Sequence, residues 1–118
     1  MQSAAVETRY EREYNDTAKR QFWSAVSMVP LNEWRTLSVI TKCTYTPYNG
    51  GAACYVPAGV IETCVTCFDA GDSFGELLHH REQPKPKRVT KETIQQQHDE
   101  VLAELDVFIN MADKLPVR

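Results

Sequence analysis

The sequence predicts an α+β domain: a long N-terminal helix, a three-stranded antiparallel meander, a short helix and a long C-terminal helix. Three observations carry that expectation. An apolar residue recurs every fourth position near the N-terminus, polar and apolar residues alternate through the middle third, and a heptad-like seam runs near the C-terminus. A chain of 118 residues fits one domain over 1–118, with residues 83–89 read as an internal Pro/Lys spacer. Hydrophobic residues at 42% and charged residues at 25% are ordinary globular values, and a formal net charge of −3 is too small to imply steering toward nucleic acid. The N-terminal residues turn charged at once and no stretch approaches the length of a membrane span, so a cytoplasmic location is expected.

The first helix is expected over about residues 4–28, because Val6, Tyr10, Tyr14, Ala18, Phe22 and Val26 recur in steps of four. Ser3 is its expected N-cap and Pro30 its stop. Over residues 35–46 the period changes: Leu37, Val39, Thr41, Cys43 and Tyr45 alternate with more polar neighbours, the pattern of a strand with one buried side. Pro47 to Gly51 has the chemistry of a reversal, which leads to a short second strand over Ala53–Val56 and a third over Val60–Phe68. Ser73 with Glu76 three residues later resembles a capping box opening a short helix to about Arg81. Thr90 is the expected cap of the last helix, which runs to about Lys114 on the seam Ile94, His98, Val101, Leu105, Phe108, Ala112 and Leu115. That face predicts packing on the sheet, and Val101, Leu105 and Phe108 are the candidates for a homodimer seam along its edge.

Four cysteines cluster in the middle of the chain, at Cys43, Cys54, Cys64 and Cys67. Cys64 and Cys67 have zinc-ligand spacing, and Cys54 and His80 are the further candidates for a four-ligand site. Against it, Val65 and Thr66 favour extended backbone, in which residues three apart point to opposite faces, and no glycine follows Cys67. Small buried side chains are the expected role, with no cofactor. A four-residue loop would set Cys43 opposite Cys54 across a hairpin.

Lys85, Lys87, Arg88 and Lys91 form the basic cluster, a candidate phosphate-contacting surface at a helix N-terminus. The order helix, three strands, helix is also that of double-stranded-RNA-binding domains, though the lysine-rich helix start of that family is missing. His79 and His80 are expected at a helix end, and His98 as a core or edge histidine on an apolar stripe. Asp69, Asp72 and Glu76 match no calcium loop. Trp34, Tyr45, Tyr48 and Tyr55 gather near the hairpin as the candidate partner surface. No spacing predicts a nucleophile beside a base. The function expected is that of a small cytoplasmic binding protein, an adaptor, regulator or inhibitor, of the kind common among accessory proteins of phages and mobile elements. The alternatives are a zinc-stabilised or basic-patch nucleic-acid-binding module and a cysteine-dependent enzyme.

Overall fold

In the computed structural model the described residues are 6–15, 20–44, 47–48, 54–55, 60–72 and 74–116. The N-terminal segment expected as a helix is two strands, β1 (Thr8–Asn15) and β2 (Arg20–Pro30), paired antiparallel from Thr8 opposite Ser27 to Asn15 opposite Arg20. The reason lies in arithmetic. Four is a multiple of the strand period of two, so residues four apart share a face in a strand as well as on a helix. A helical stripe also needs partners three apart, and steps of four alone lack them. The aromatic and β-branched content of Tyr10, Tyr14, Phe22, Trp23, Val26 and Val29 favours the pleated alternative.

β3 (Arg35–Thr44) and β6 (Val60–Asp69) are immediate antiparallel neighbours along their whole length, from Arg35 opposite Asp69 to Thr44 opposite Val60. The segment expected as a central meander strand instead supplies a separate two-stranded ribbon, β4 (Pro47–Tyr48) with β5 (Cys54–Tyr55). Cys43 therefore pairs with Ile61, and Cys54 with Tyr48, so the Cys43–Cys54 opposition that a four-residue loop would give does not form.

The expected short helix is also a strand, β7 (Glu76–Pro84), antiparallel to β6. Its Leu, Glu and Arg content suits a helix locally, but ten paired residues of β6 offer an unfilled edge, and pairing overrides propensity. The register slips between Val65 and Thr66, the mark of a β-bulge. Leu78 joins the core and His79 stacks on Phe108 with ring centroids 4.9 Å apart, so two consecutive side chains turn to one face. The spacer expected at 83–89 shortens accordingly, since Gln83 and Pro84 belong to the strand.

The result is a five-stranded antiparallel sheet in the order β1-β2-β3-β6-β7. Two helices, α1 (Lys91–Leu102) and α2 (Leu105–Asp113), replace the expected single one. Thr90 caps α1, exchanging bonds with Thr93 in a capping box. No glycine or proline explains the break; the Glu104 amide bonds to the Val101 carbonyl at 3.0 Å, one residue short of the helical ladder. Neither helix is long and apolar enough to cross a membrane.

Both helices lie on one face of the sheet. Leu37 and Val39 of β3, Val65 and Cys67 of β6, and Val101, Leu105, Phe108 and Ala112 of the helices form the larger apolar cluster. A smaller one joins Ala25, Ile61 and Ile94, flanked by Tyr10, Trp23 and Val89. The proposed dimer seam of Val101, Leu105 and Phe108 is thus buried against the sheet of the same chain. Arg35 pins the end of α2: its guanidinium grips Asp69 at 2.6 and 3.1 Å and donates to the carbonyls of Ala112, Leu115 and Pro116.

A polar chain separates the two clusters. His98, fully buried on α1, meets Ser27 through Nε2 and Thr41 through Nδ1, both at 2.7 Å. Thr41 meets Thr63 at 2.7 Å, Gln97 Nε2 donates to Thr63 at 2.9 Å, and Ser27 meets Thr8 at 2.7 Å. One donor direction runs through the chain with a neutral imidazole, Gln97 to Thr63 to Thr41 to Nδ1, then Nε2–H to Ser27 to Thr8, while the buried Gln97 Oε1 has no partner among the described residues.

Candidate functional site on the open face of the sheet

Strand alternation and register define the face away from the helices. Row by row from β1 to β7 it carries Glu11, Ser24, Lys42, Glu62 and Glu82, then Arg9, Val26, Ile40, Cys64 and His80. The next row, Met28, Ser38, Thr66 and Leu77, is apolar at its two outer positions and carries hydroxyls between them. Among the described residues no helix covers these positions. The face is therefore polarised, acidic at one end and apolar at the other.

The apolar end is unusually open. Met28 is 49% exposed, Leu77 56% and Phe74 85%, and Trp34 stands in the turn between β2 and β3. That turn touches the one between β6 and β7, where the Ala70 amide donates to the Trp34 carbonyl at 2.7 Å. Gly75 lies so close over the sheet that an added Cβ would stand 2.4 Å from Thr66 Cγ2 and 2.8 Å from Phe68 Cε1. The glycine is what lets Phe74 perch at the rim. Below it, Arg35, Asp69, Asp72, Phe74 and Glu76 line a shallow depression closed by Leu115 and Pro116. The three carboxylates noted in the sequence do meet there, with Asp69 engaged by Arg35.

At the acidic end, His80 Nε2 lies 2.7 Å from Glu62 Oε2 and 3.6 Å from Glu82 Oε2. The donor atoms of Glu62, Cys64 and His80 all lie within 4.8 Å of one another. Of the four metal candidates read from the sequence, Cys64 and His80 come together. Cys67 is buried on the opposite, helix-covered face, as extended backbone requires of residues three apart. Cys54 falls in β5, which is not a strand of the five-stranded sheet. Burial pushes the thiols of Cys43, Cys64 and Cys67 upward, and Glu62 adds to the effect at Cys64.

The other candidate residues scatter. Trp34 is partly exposed and stacks on the Arg35 guanidinium at 4.5 Å. Tyr45 lies outside the described residues, while Tyr48 and Tyr55 sit on β4 and β5. Lys91 points its ammonium over the Tyr10 ring at 4.7 Å, and Lys85 donates to the Pro86 carbonyl, so the basic cluster is divided; Lys87 and Arg88 are exposed. Residues missed in the sequence are Glu62, Glu82, Met28, Phe74 and Leu77. Their signal was alternation: Glu62-Thr63-Cys64 and His80-Arg81-Glu82 each place two polar ligand-type side chains on one face, but only if both segments are strands.

Comparison with known protein families, with curated proteins and with solved structures finds no match to the chain.

Proposed function

We propose that this is a small binding protein, an adaptor, regulator or inhibitor, that docks a protein partner on the open face of its sheet. One observation carries the reading: Met28 and Leu77, on the face of the sheet away from the two helices, are 49% and 56% exposed, and Phe74 at the same end of the sheet is 85% exposed. A single exposed apolar residue is ordinary on a surface, but three large ones at one end of a sheet favour an interaction site. Glu11, Glu13, Glu62 and Glu82 outnumber Arg9 and Lys42 on the same face, so the fitting partner presents apolar anchors flanked by lysine or arginine. Its cytoplasmic location belongs to this proposal, and the free thiols of Cys43, Cys64 and Cys67 suit a reducing compartment.

The two alternatives draw less support. A nucleophilic cysteine needs an electropositive surrounding that lowers its pKa, whereas these thiols are raised. A phosphate-binding patch needs free cations, and Lys91 is engaged on an aromatic ring.

The test compares wild type with a Met28→Asp/Leu77→Asp variant. Both are offered the same native lysate, the captured partner is identified, and it is then purified and titrated against each. The expected result is a partner with a basic, apolar segment whose affinity drops at least about 100-fold for the variant, the equivalent of about 2.8 kcal/mol. Equal binding to both proteins, or loss only when Trp34 or Lys87 and Arg88 are changed, overturns the reading. So does wild-type self-association that the same substitutions abolish, which would make the occupant a second copy of this chain.

A further inference from the structure

We propose that Glu62, Cys64 and His80 form a binding site for a single divalent transition-metal ion of the zinc type, at the acidic end of the open face. The proposal shares Glu62 and Glu82 with the acidic part of the docking face, whose apolar anchors lie at the other end, and it is read by a metal spectrum that does not depend on partner binding. Its foundation is the strand register. Glu62 and Cys64 are two apart on β6, His80 is directly opposite Cys64, and Glu82 is directly opposite Glu62. Four ligand-type side chains thus form a two-by-two array on one face, with the hydrogen-bonded ladder fixing the backbone beneath them.

The spacing fits a single ion. Zinc bonds of roughly 2.0–2.3 Å in a tetrahedron place ligand atoms about 3.3–3.8 Å apart. Here the three donor atoms lie within 4.8 Å of one another, His80 Nε2 is 2.7 Å from Glu62 Oε2, and Glu82 Oε2 is 3.6 Å from the same nitrogen. Glu62 therefore backs away by roughly half an ångström and Cys64 closes in, both within the reach of side-chain rotation. Glu82 is placed to take the fourth position or to orient a water there.

The donor set selects the metal. Calcium and magnesium take oxygen ligands throughout, whereas a thiolate with an imidazole and a carboxylate is a zinc-type set. A surface ion pair accounts for His80 beside Glu62, but it gives no role to a half-buried thiol in the same triangle. Binding releases the Cys64 thiol proton to solvent as the Zn–S bond forms. The imidazole gives up its bond to Glu62 and holds its proton on Nδ1, leaving the Nε2 lone pair for the metal.

Cobalt(II) is the probe, because a four-coordinate thiolate complex shows a near-ultraviolet sulfur-to-metal band and intense visible bands. Chelator-treated full-length protein is titrated with cobalt chloride and then back-titrated with zinc chloride. One equivalent of cobalt is expected to bind with both signatures, and one equivalent of zinc to displace it. Cys64→Ala should remove the near-ultraviolet band, and His80→Ala should weaken zinc by at least tenfold. Each variant is checked by circular dichroism, and Glu76→Gln, outside the array, should leave the titration unchanged. The proposal is overturned by any of three results: no saturable spectrum at one equivalent, a spectrum that survives Cys64→Ala in a folded protein, or a band removed by Cys54→Ala instead.

Discussion

His98 makes the stability of this fold depend on pH, and His98→Leu measures by how much. The ring is fully buried and makes two hydrogen bonds of 2.7 Å, to Ser27 and Thr41. Neither hydroxyl is orphaned by its removal, because Ser27 retains Thr8 and Thr41 retains Thr63. The cost at pH 8 is then two ordinary hydrogen bonds, about 1–3 kcal/mol in total, without a desolvation penalty. Burial holds the His98 pKa below its ordinary value, with Asp99 opposing weakly. The unfolded chain therefore binds the proton more readily than the folded one. The stability due to the neutral ring is complete above about pH 6.5 and is lost as pH falls through the folded-state pKa, with a slope of at most about 1.4 kcal/mol per pH unit. Urea unfolding of wild type and His98→Leu at pH 8 and pH 5 is the assay. The wild-type advantage should narrow at the lower pH, and carboxylates common to both proteins cancel in the difference. An advantage that is unchanged or larger at pH 5 would refute the reasoning. Adding Ser27→Ala or Thr41→Val to the leucine variant should deepen the loss, since each removes a surviving bond, to Thr8 or to Thr63.

Phe108→Ala removes a buried ring stacked on His79 and should cost about 3–5 kcal/mol, seen as a lower urea midpoint with no change in sedimentation of the remaining folded protein. Gly75→Ala forces a methyl against Thr66, Phe68 and the Cys67 carbonyl and should cost about 1–3 kcal/mol in the same assay; adding Thr66→Ser, which removes the 2.4 Å contact, should restore part of it. Thr90→Ala breaks the reciprocal bonds with Thr93 and should cost about 0.5–2 kcal/mol, with faster amide exchange confined first to the start of α1.

The alternation of Leu37, Val39, Thr41 and Cys43 made β3 readable, because a one-sided strand writes its period into the sequence. The C-terminal seam was readable for the same reason, down to Thr90 as its cap. β1 and β2 were not, because a stripe of fours satisfies two periods at once and the reversal between them offers no glycine or proline. β7 was hidden differently. Its own residues favour a helix, and only the vacant edge of β6 makes it a strand. That information sits at Ile61, Thr63, Val65 and Cys67, on the preceding strand.

Those two misreadings concealed both ends of the open face. Met28 becomes a surface anchor only once β2 is a strand, and Leu77 only once β7 pairs with Thr66. His80 reaches Cys64 for the same reason: on a helix of its own it would have no fixed relation to β6. The lone histidine of the seam shows the converse. His98 stood out as a polar residue on an apolar stripe, yet its partners Ser27 and Thr41, and Thr63 bonded to Thr41, come from three strands. Each contributes a small hydroxyl at the centre of an apolar face, where an aliphatic residue of similar size would pack as well. Their alignment across the sheet sets one register: a one-residue slip of any strand turns its hydroxyl to the open face and strands its neighbour in the core. A buried polar chain of this kind contributes less to net stability than to the exclusion of neighbouring registers, which the two apolar clusters flanking it could not distinguish alone.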